Sequence, residues 1–217
     1  CIRDSINNDG FDDIYFSGNE VRDELYLNQG NMVFKNITES AGLDSEGYWS
    51  NGVSMADINN DGWIDIYVST VSDYKNLKGH NRLYINNGDL TFTEKSKDVG
   101  IDFKGFGTHA SFFDYDNDGD LDLISSGFTG IETDLTGTEY IDPITNVYQQ
   151  NSQGQFVLDT TLYMLDSVGL SSTQWGDYDN DGDLDLLITG ETSEDQLITR
   201  VYENLEGLTN PLGLEGQ

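Results

Sequence analysis

Asp177-Tyr178-Asp179-Asn180-Asp181-Gly182-Asp183-Leu184-Asp185 is one of four copies of a nine-residue pattern in this 217-residue chain. The others are Asp114-Tyr115-Asp116-Asn117-Asp118-Gly119-Asp120-Leu121-Asp122, Asp57-Ile58-Asn59-Asn60-Asp61-Gly62-Trp63-Ile64-Asp65 and Ser5-Ile6-Asn7-Asn8-Asp9-Gly10-Phe11-Asp12-Asp13. Their fifth-position aspartates, Asp9, Asp61, Asp118 and Asp181, are spaced by 52, 57 and 63 residues. That period fits one supersecondary unit of several strands, too long for a hairpin.

The flanks repeat as well. Each loop runs into an apolar, β-branched or aromatic segment: Ile14–Ser17, Ile66–Ser69, Leu121–Ser125 and Leu184–Thr189. Such runs read as strands. A second strand carries a fixed tyrosine: Leu25-Tyr26-Leu27-Asn28, Leu83-Tyr84-Ile85-Asn86, Val147-Tyr148-Gln149 and Val201-Tyr202-Glu203-Asn204. A Gly-containing turn and a short strand centred on Phe34, Phe92 or Phe156 follow in the first three copies, which is a hairpin signal. Val53–Ala56, Ala110–Phe113 and Thr173–Gly176 precede the later loops. Ala41-Gly42-Leu43, Val99-Gly100-Ile101 and Val168-Gly169-Leu170 mark the joins.

The expected fold is therefore all-β, with about four four-stranded antiparallel blades forming a β-propeller or part of one. Each Asp loop joins the first two strands of a blade. Repeats are expected over about 1–43, 44–101, 102–169 and 170–217, in one domain spanning 1–217. The first repeat is expected to begin at its loop, without a preceding strand. Residues 128–145 are expected to form an exposed loop, and no final strand is expected after Leu205.

Charge narrows the function. The chain has 40 acidic and 10 basic residues, a formal net charge of −30. Uncompensated like charge opposes compaction, and bound cations relieve it. Twelve Tyr, ten Phe and three Trp supply a core and argue against disorder. A chain so poor in Lys and Arg cannot neutralise phosphates, so no nucleic-acid partner is expected. No apolar run approaches membrane-spanning length. The single cysteine, Cys1, excludes an internal disulfide framework and reads as an ordinary thiol before a lipidated one.

The loop chemistry points to calcium, a hard cation that takes six to eight oxygens at about 2.3–2.6 Å. Side chains at positions 1, 3 and 5 converge when the backbone curls, and Gly at position 6 permits the curl. Position 7 contributes its carbonyl, leaving its side chain free to be Phe11, Trp63, Asp120 or Asp183. Position 9 closes the set with Asp13, Asp65, Asp122 or Asp185. The expected ligands are Asn7, Asp9, Phe11 and Asp13 in loop one, with Ser5 replacing the first aspartate. In loop two they are Asp57, Asn59, Asp61, Trp63 and Asp65. Asp114, Asp116, Asp118, Asp120 and Asp122 serve loop three, and Asp177, Asp179, Asp181, Asp183 and Asp185 serve loop four. Three to four Ca2+ ions are expected, with loops three and four strongest and loop one weakest or empty. An EF-hand needs Glu at position 12, where Phe16, Val68, Ser125 and Ile188 stand. Magnesium suits these loops less well, and two histidines and one cysteine do not suit zinc.

This pattern between two strands resembles the FG-GAP/VCBS repeats, with Phe106-Gly107 as the FG element. The stretch from Leu83 to Phe92 looks like repeats of the cartilage acidic protein type. The resemblance covers nearly the whole chain. It implies a calcium-stabilised propeller, secreted or at the cell surface, that serves adhesion or recognises a protein or carbohydrate ligand. Family propellers usually have seven blades, so with about four repeats a fragment of a larger propeller, with further blades or domains in a longer parent chain, is expected before a small propeller closed by its own ends.

An enzyme, such as a polysaccharide lyase or hydrolase, is the alternative. The sequence lacks a G-x-S-x-G elbow and a zinc motif. His80, in the basic spot Lys78-Gly79-His80-Asn81-Arg82, and His109 are the candidate bases, each more readily read as surface or structural. Trp49, Trp63 and Trp175 could stack on sugars in a lectin, though such residues more often pack internally. Asn36-Ile37-Thr38 fits an N-glycosylation acceptor. The expectation is a non-catalytic module.

Overall fold

A computed structural model describes residues 2–72, 79–133, 137, 139–161 and 165–204. Cys1, Lys78 and the segment after Asn204 lie outside the described residues. The chain divides into two compact units at Gly107/Thr108.

In the first unit, β1 (Ile2–Asp4), β2 (Asp13–Phe16), β3 (Glu24–Asn28) and β4 (Phe34–Asn36) form an antiparallel meander in chain order. Its register sets Asp4 opposite Asp13, Ile14 opposite Tyr26 and Asn28 opposite Phe34. β5 (Trp49–Ala56), β6 (Asp65–Val71), β7 (Arg82–Asn86) and β8 (Phe92–Glu94) repeat that order, with a register shift between Ser50 and Val53. One turn of helix, α1 (Ser96–Val99), follows and is closed by Gly100 at φ 91°.

β9 (Gly105–Phe113) carries the chain into the second unit. There β10 (Asp122–Thr129), β13 (Pro143–Gln150) and β14 (Phe156–Leu158) extend β9 in the same meander. β11 (Glu132–Thr133) and β12 (Glu139–Tyr140) make a small hairpin between β10 and β13. β15 (Gly169–Gly176), β16 (Asp185–Glu191) and β17 (Leu197–Tyr202) form a three-stranded antiparallel sheet.

The protein is thus all-β with almost no helix, and its antiparallel meanders are consistent with propeller blades. Two expectations need correction. The first repeat does have a preceding strand, since β1 pairs with β2 from Ile2↔Tyr15 to Asp4↔Asp13. Ile2-Arg3-Asp4 is too short to show a period. Nor is 128–145 a plain loop. β10 and β13 pair as far as Phe128↔Pro143, and the β11–β12 hairpin lies beyond them. Its Gly, Thr and acidic residues hide the pairing from pattern reading, because β-propensity depends strongly on neighbours.

Each unit has its own core. The first gathers Ile6, Tyr15, Leu25, Ile37, Ile66 and Phe92, all nearly solvent-free. The second gathers Phe113, Tyr115, Ile124, Val147, Leu186 and Ile188. Burying each such side chain stabilises the fold by about 1.5–3 kcal/mol. β6 is buried on both faces from Asp65 to Thr70, which explains a continuous run where a half-exposed strand would alternate. The loops attach directly to these strands, so the core fixes where they stand.

Candidate metal centre

Each Asp loop joins two neighbouring antiparallel strands: β1–β2, β5–β6, β9–β10 and β15–β16. Two left-handed residues make the curl. Position 6 is Gly10, Gly62, Gly119 or Gly182, at φ 83°, 89°, 95° and 101°. Position 4 is also left-handed and is Asn every time: Asn8, Asn60, Asn117 and Asn180, at φ 57°, 56°, 58° and 63°. Asn tolerates this region better than most side chains. The four asparagines carry that signal in the sequence, although the glycine alone is enough to suggest a curl.

The loop side chains bind their own backbone. Position 5 accepts from the amide at position 7 in all four loops: Asp9 from Phe11 at 2.8 Å, Asp61 from Trp63 at 2.9 Å, Asp118 from Asp120 at 2.9 Å and Asp181 from Asp183 at 3.0 Å. At position 1, the two oxygens of Asp57 accept from the Asp61 and Gly62 amides at 3.0 and 2.8 Å. Those of Asp114 accept from the Asp118 and Gly119 amides, both at 3.1 Å. Ser5 offers a single oxygen, which accepts from the Gly10 amide at 3.3 Å.

Position 9 has a task that the sequence did not reveal. Asp13, Asp65, Asp122 and Asp185 are at most 2 % exposed. One oxygen of each accepts from the amide at position 2: Ile6 at 2.9 Å, Ile58 at 3.0 Å, Tyr115 at 3.1 Å and Tyr178 at 2.8 Å. The other accepts from the residue at or just past the end of the next strand: Asn28 at 2.7 Å, and Asn86, Gln150 and Asn204 at 2.8 Å. The amide side chains of those four residues donate back to the position-8 carbonyls of Asp12, Ile64, Leu121 and Leu184. Position 9 therefore ties its loop to the sheet, and the Asn or Gln after each fixed tyrosine completes the tie.

The surroundings of three of these aspartates, Asp13, Asp65 and Asp122, disfavour the charged form. Burial first, and then the charges of Asp61 and Asp57, push Asp65 up to about 7. Burial, with Asp116 and Asp118, does the same to Asp122. Burial also raises Asp13. A dication among them would reverse this sense.

The second unit brings predicted ligands together. Carboxylate oxygens of Asp114, Asp116 and Asp122 lie within 4.8 Å of one another, as do those of Asp177, Asp179 and Asp185. Oxygens on opposite sides of one calcium ion stand about 4.6–5.2 Å apart, so both triads fit the ion. Asp118 and Asp181 stand outside these triads, turned to their own loop amides. In loops one and two, Asn7 and Asn59 donate to Asp9 and Asp61, both at 2.9 Å.

The remaining candidates have internal partners. Phe11 packs on Gly30 and Trp63 on Gly88, where an added Cβ would stand 3.4 and 3.0 Å from the rings. Trp175 stacks on Phe113 and donates to Ser111 at 3.2 Å, and Trp49 donates to Asn51 at 3.0 Å. The basic spot is not a surface feature at Arg82, which is buried against Asp23 at 2.9 Å. His80 faces Glu94 at 3.9 Å. In the Asn36-Ile37-Thr38 acceptor, Asn36 accepts from the Thr38 amide and hydroxyl, as Asp159 does from Thr161. The motif thus has a structural use in two repeats.

His109 accepts from the Thr173 amide at 3.3 Å, and burial lowers its pKa. The unfolded chain then binds more protons as pH falls through about 6.5, so this contribution is full above that value and is lost below it. Between about pH 7.5 and 5.5, the parent should lose more stability than His109→Gln. Denaturation midpoints at the two pH values check this.

Repeated antiparallel meanders, each with an acidic loop between two strands, define a class of all-β repeat proteins. Residues 6–68 and 70–125 match the FG-GAP-like repeat, and the chain belongs to that family. It is similar to cartilage acidic protein 1 of Xenopus tropicalis, 25 % identical over 214 residues, covering 94 % of this chain and 30 % of the relative. It is also similar to mouse cartilage acidic protein 1, 37 % identical over 73 residues, covering 34 % of this chain and 10 % of the relative. The chain thus spans less than a third of the length of these relatives. Among the described residues, no helix is long and apolar enough to cross a membrane.

Proposed function

We propose that the chain is a calcium-stabilised, non-catalytic module that recognises a protein or glycan outside the cell. The convergence of Asp114, Asp116 and Asp122, and of Asp177, Asp179 and Asp185, carries this reading. When bound, calcium supplies positive charge that holds each loop closed. Position-9 aspartates anchor the loops to the sheets, and Asp114, Asp116, Asp177 and Asp179 converge with those of loops three and four on a curl set by Asn and Gly. Ions that bind only the folded state stabilise it by mass action.

The net charge of −30 favours cation uptake, and weak sites of this class need calcium well above cytosolic levels. The name of the relatives, cartilage acidic protein, agrees with an extracellular setting. Loops three and four are the strongest sites, loop two is next, and loop one, with Ser5, is weakest. Calorimetric titration tests the proposal. Asp114→Ala and Asp177→Ala should each remove one bound ion, and unchanged uptake in the double variant would contradict it.

A further inference from the structure

A cleft of about 460 Å3 lies beside the first meander, where the chain leaves β4. That is within the range of about 300–1,000 Å3 usual for small-ligand sites. Arg22, Asn36, Ile37, Glu39 and Ser40 line it. Ile37 is buried and the other four are exposed. Arg22 and Glu39 bring opposite charges to the cleft, yet among the described residues neither has an ion-pair partner. Both charged groups are therefore left to a guest. Asn36 is held in place, accepting from the Thr38 amide at 3.0 Å and the Thr38 hydroxyl at 2.8 Å. Ser40 donates to the Ile37 carbonyl at 2.9 Å, which leaves its oxygen to accept. Tyr26 stands opposite Asn36 in the β3–β4 register. Its ring meets Phe16 edge to face with centroids 5.7 Å apart, and its hydroxyl donates to Glu24 at 2.8 Å. Phe16 is 44 % exposed, so this aromatic pair faces solvent beside the cleft.

We propose that this cleft binds a neutral hexose unit of a glycan, with Tyr26 and Phe16 as its stacking surface. This rests on the recognition reading above, whose place and ligand class it names. The lining is nearly all polar, so an apolar ligand gains little there. An anion meets Glu39 and Glu24 in a chain of net charge −30, and a cation meets Arg22. A ring of hydroxyl groups suits both signs, because each hydroxyl donates to a carboxylate and accepts from a guanidinium. The apolar face of the same ring covers an aromatic surface. Asn36 and Tyr26 are already fixed by Thr38 and Glu24, so little side-chain freedom is lost on binding.

The test is calorimetric titration of the intact chain, in calcium, with the methyl glycosides of glucose, galactose and mannose. At least one should bind. Arg22→Ala and Glu39→Ala should each weaken it by about tenfold or more, the worth of a charged hydrogen bond. Both side chains are exposed, so the melting temperature of each variant should match the parent's. Methyl glucuronide should bind more weakly than methyl glucoside. Binding by none of the three overturns the inference and leaves a protein as the module's ligand. Binding that neither variant weakens also overturns it, because the glycan then sits elsewhere. Calcium uptake is titrated on the same samples. A chain that takes up calcium but no hexose fails this inference alone, whereas a chain that takes up no calcium fails the calcium reading whatever the sugar does.

Discussion

Replacing Arg82 by methionine should lower the stability of the first unit by about 3–5 kcal/mol, the cost of leaving a buried charge unpaired. Arg82 and Asp23 are each 1 % exposed and meet at 2.9 Å. The guanidinium also donates to Ser50 at 2.8 Å, to Tyr84 at 2.8 Å and to the Asp44 carbonyl at 3.0 Å, and lies 4.2 Å from the centre of the Tyr48 ring. Asp23 further accepts from Tyr15 at 2.8 Å, the Gly18 amide at 2.7 Å and Ser50 at 2.9 Å. Methionine fills part of the space but strands the Asp23 carboxylate. Removing both charges together, as Arg82→Met with Asp23→Leu, should recover part of the loss, because a paired buried charge is often replaceable by apolar groups. Denaturant midpoints at saturating calcium measure both. A loss below about 1 kcal/mol in Arg82→Met would show that the pair does not hold this unit together.

Asp122→Ala is the second large effect, and it should persist in chelator. It orphans the Tyr115 and Gln150 amides, which now donate to Asp122 at 3.1 and 2.8 Å. Each buried unsatisfied donor costs about 1–3 kcal/mol, so the expected loss from the two is about 2–6 kcal/mol. Asp114→Ala is the control. Its partners, the Asp118 and Gly119 amides, are exposed and water can replace it. In chelator Asp114→Ala should therefore be near neutral, and in calcium it should lose the ion's contribution. Equal effects of the two variants in chelator would mean that position 9 has no anchoring task.

Much of this was legible in the sequence, for physical reasons. Strands such as Ile66–Ser69 show because β-branched and aromatic runs next to Gly turns have few other folds. The loop shows because Gly at positive φ and oxygen at alternate positions recur together. The Arg82–Asp23 pair was hidden because its partners are 59 residues apart and local pattern carries no such contact. The anchoring by Asp65 and Asp122 was hidden differently. A carboxylate that ties backbone amides and one that binds metal look the same in sequence, and these residues can do both. The burial of Arg82 has no sequence signal, because a basic residue is usually exposed.

The most direct test of calcium stabilisation is the melting temperature of the intact chain as free calcium rises, with magnesium and chelator as references. Calcium should raise it progressively; at one hundred times the dissociation constant each occupied loop adds about 2.7 kcal/mol. A melting temperature that stays at its chelator value across that range would contradict the account.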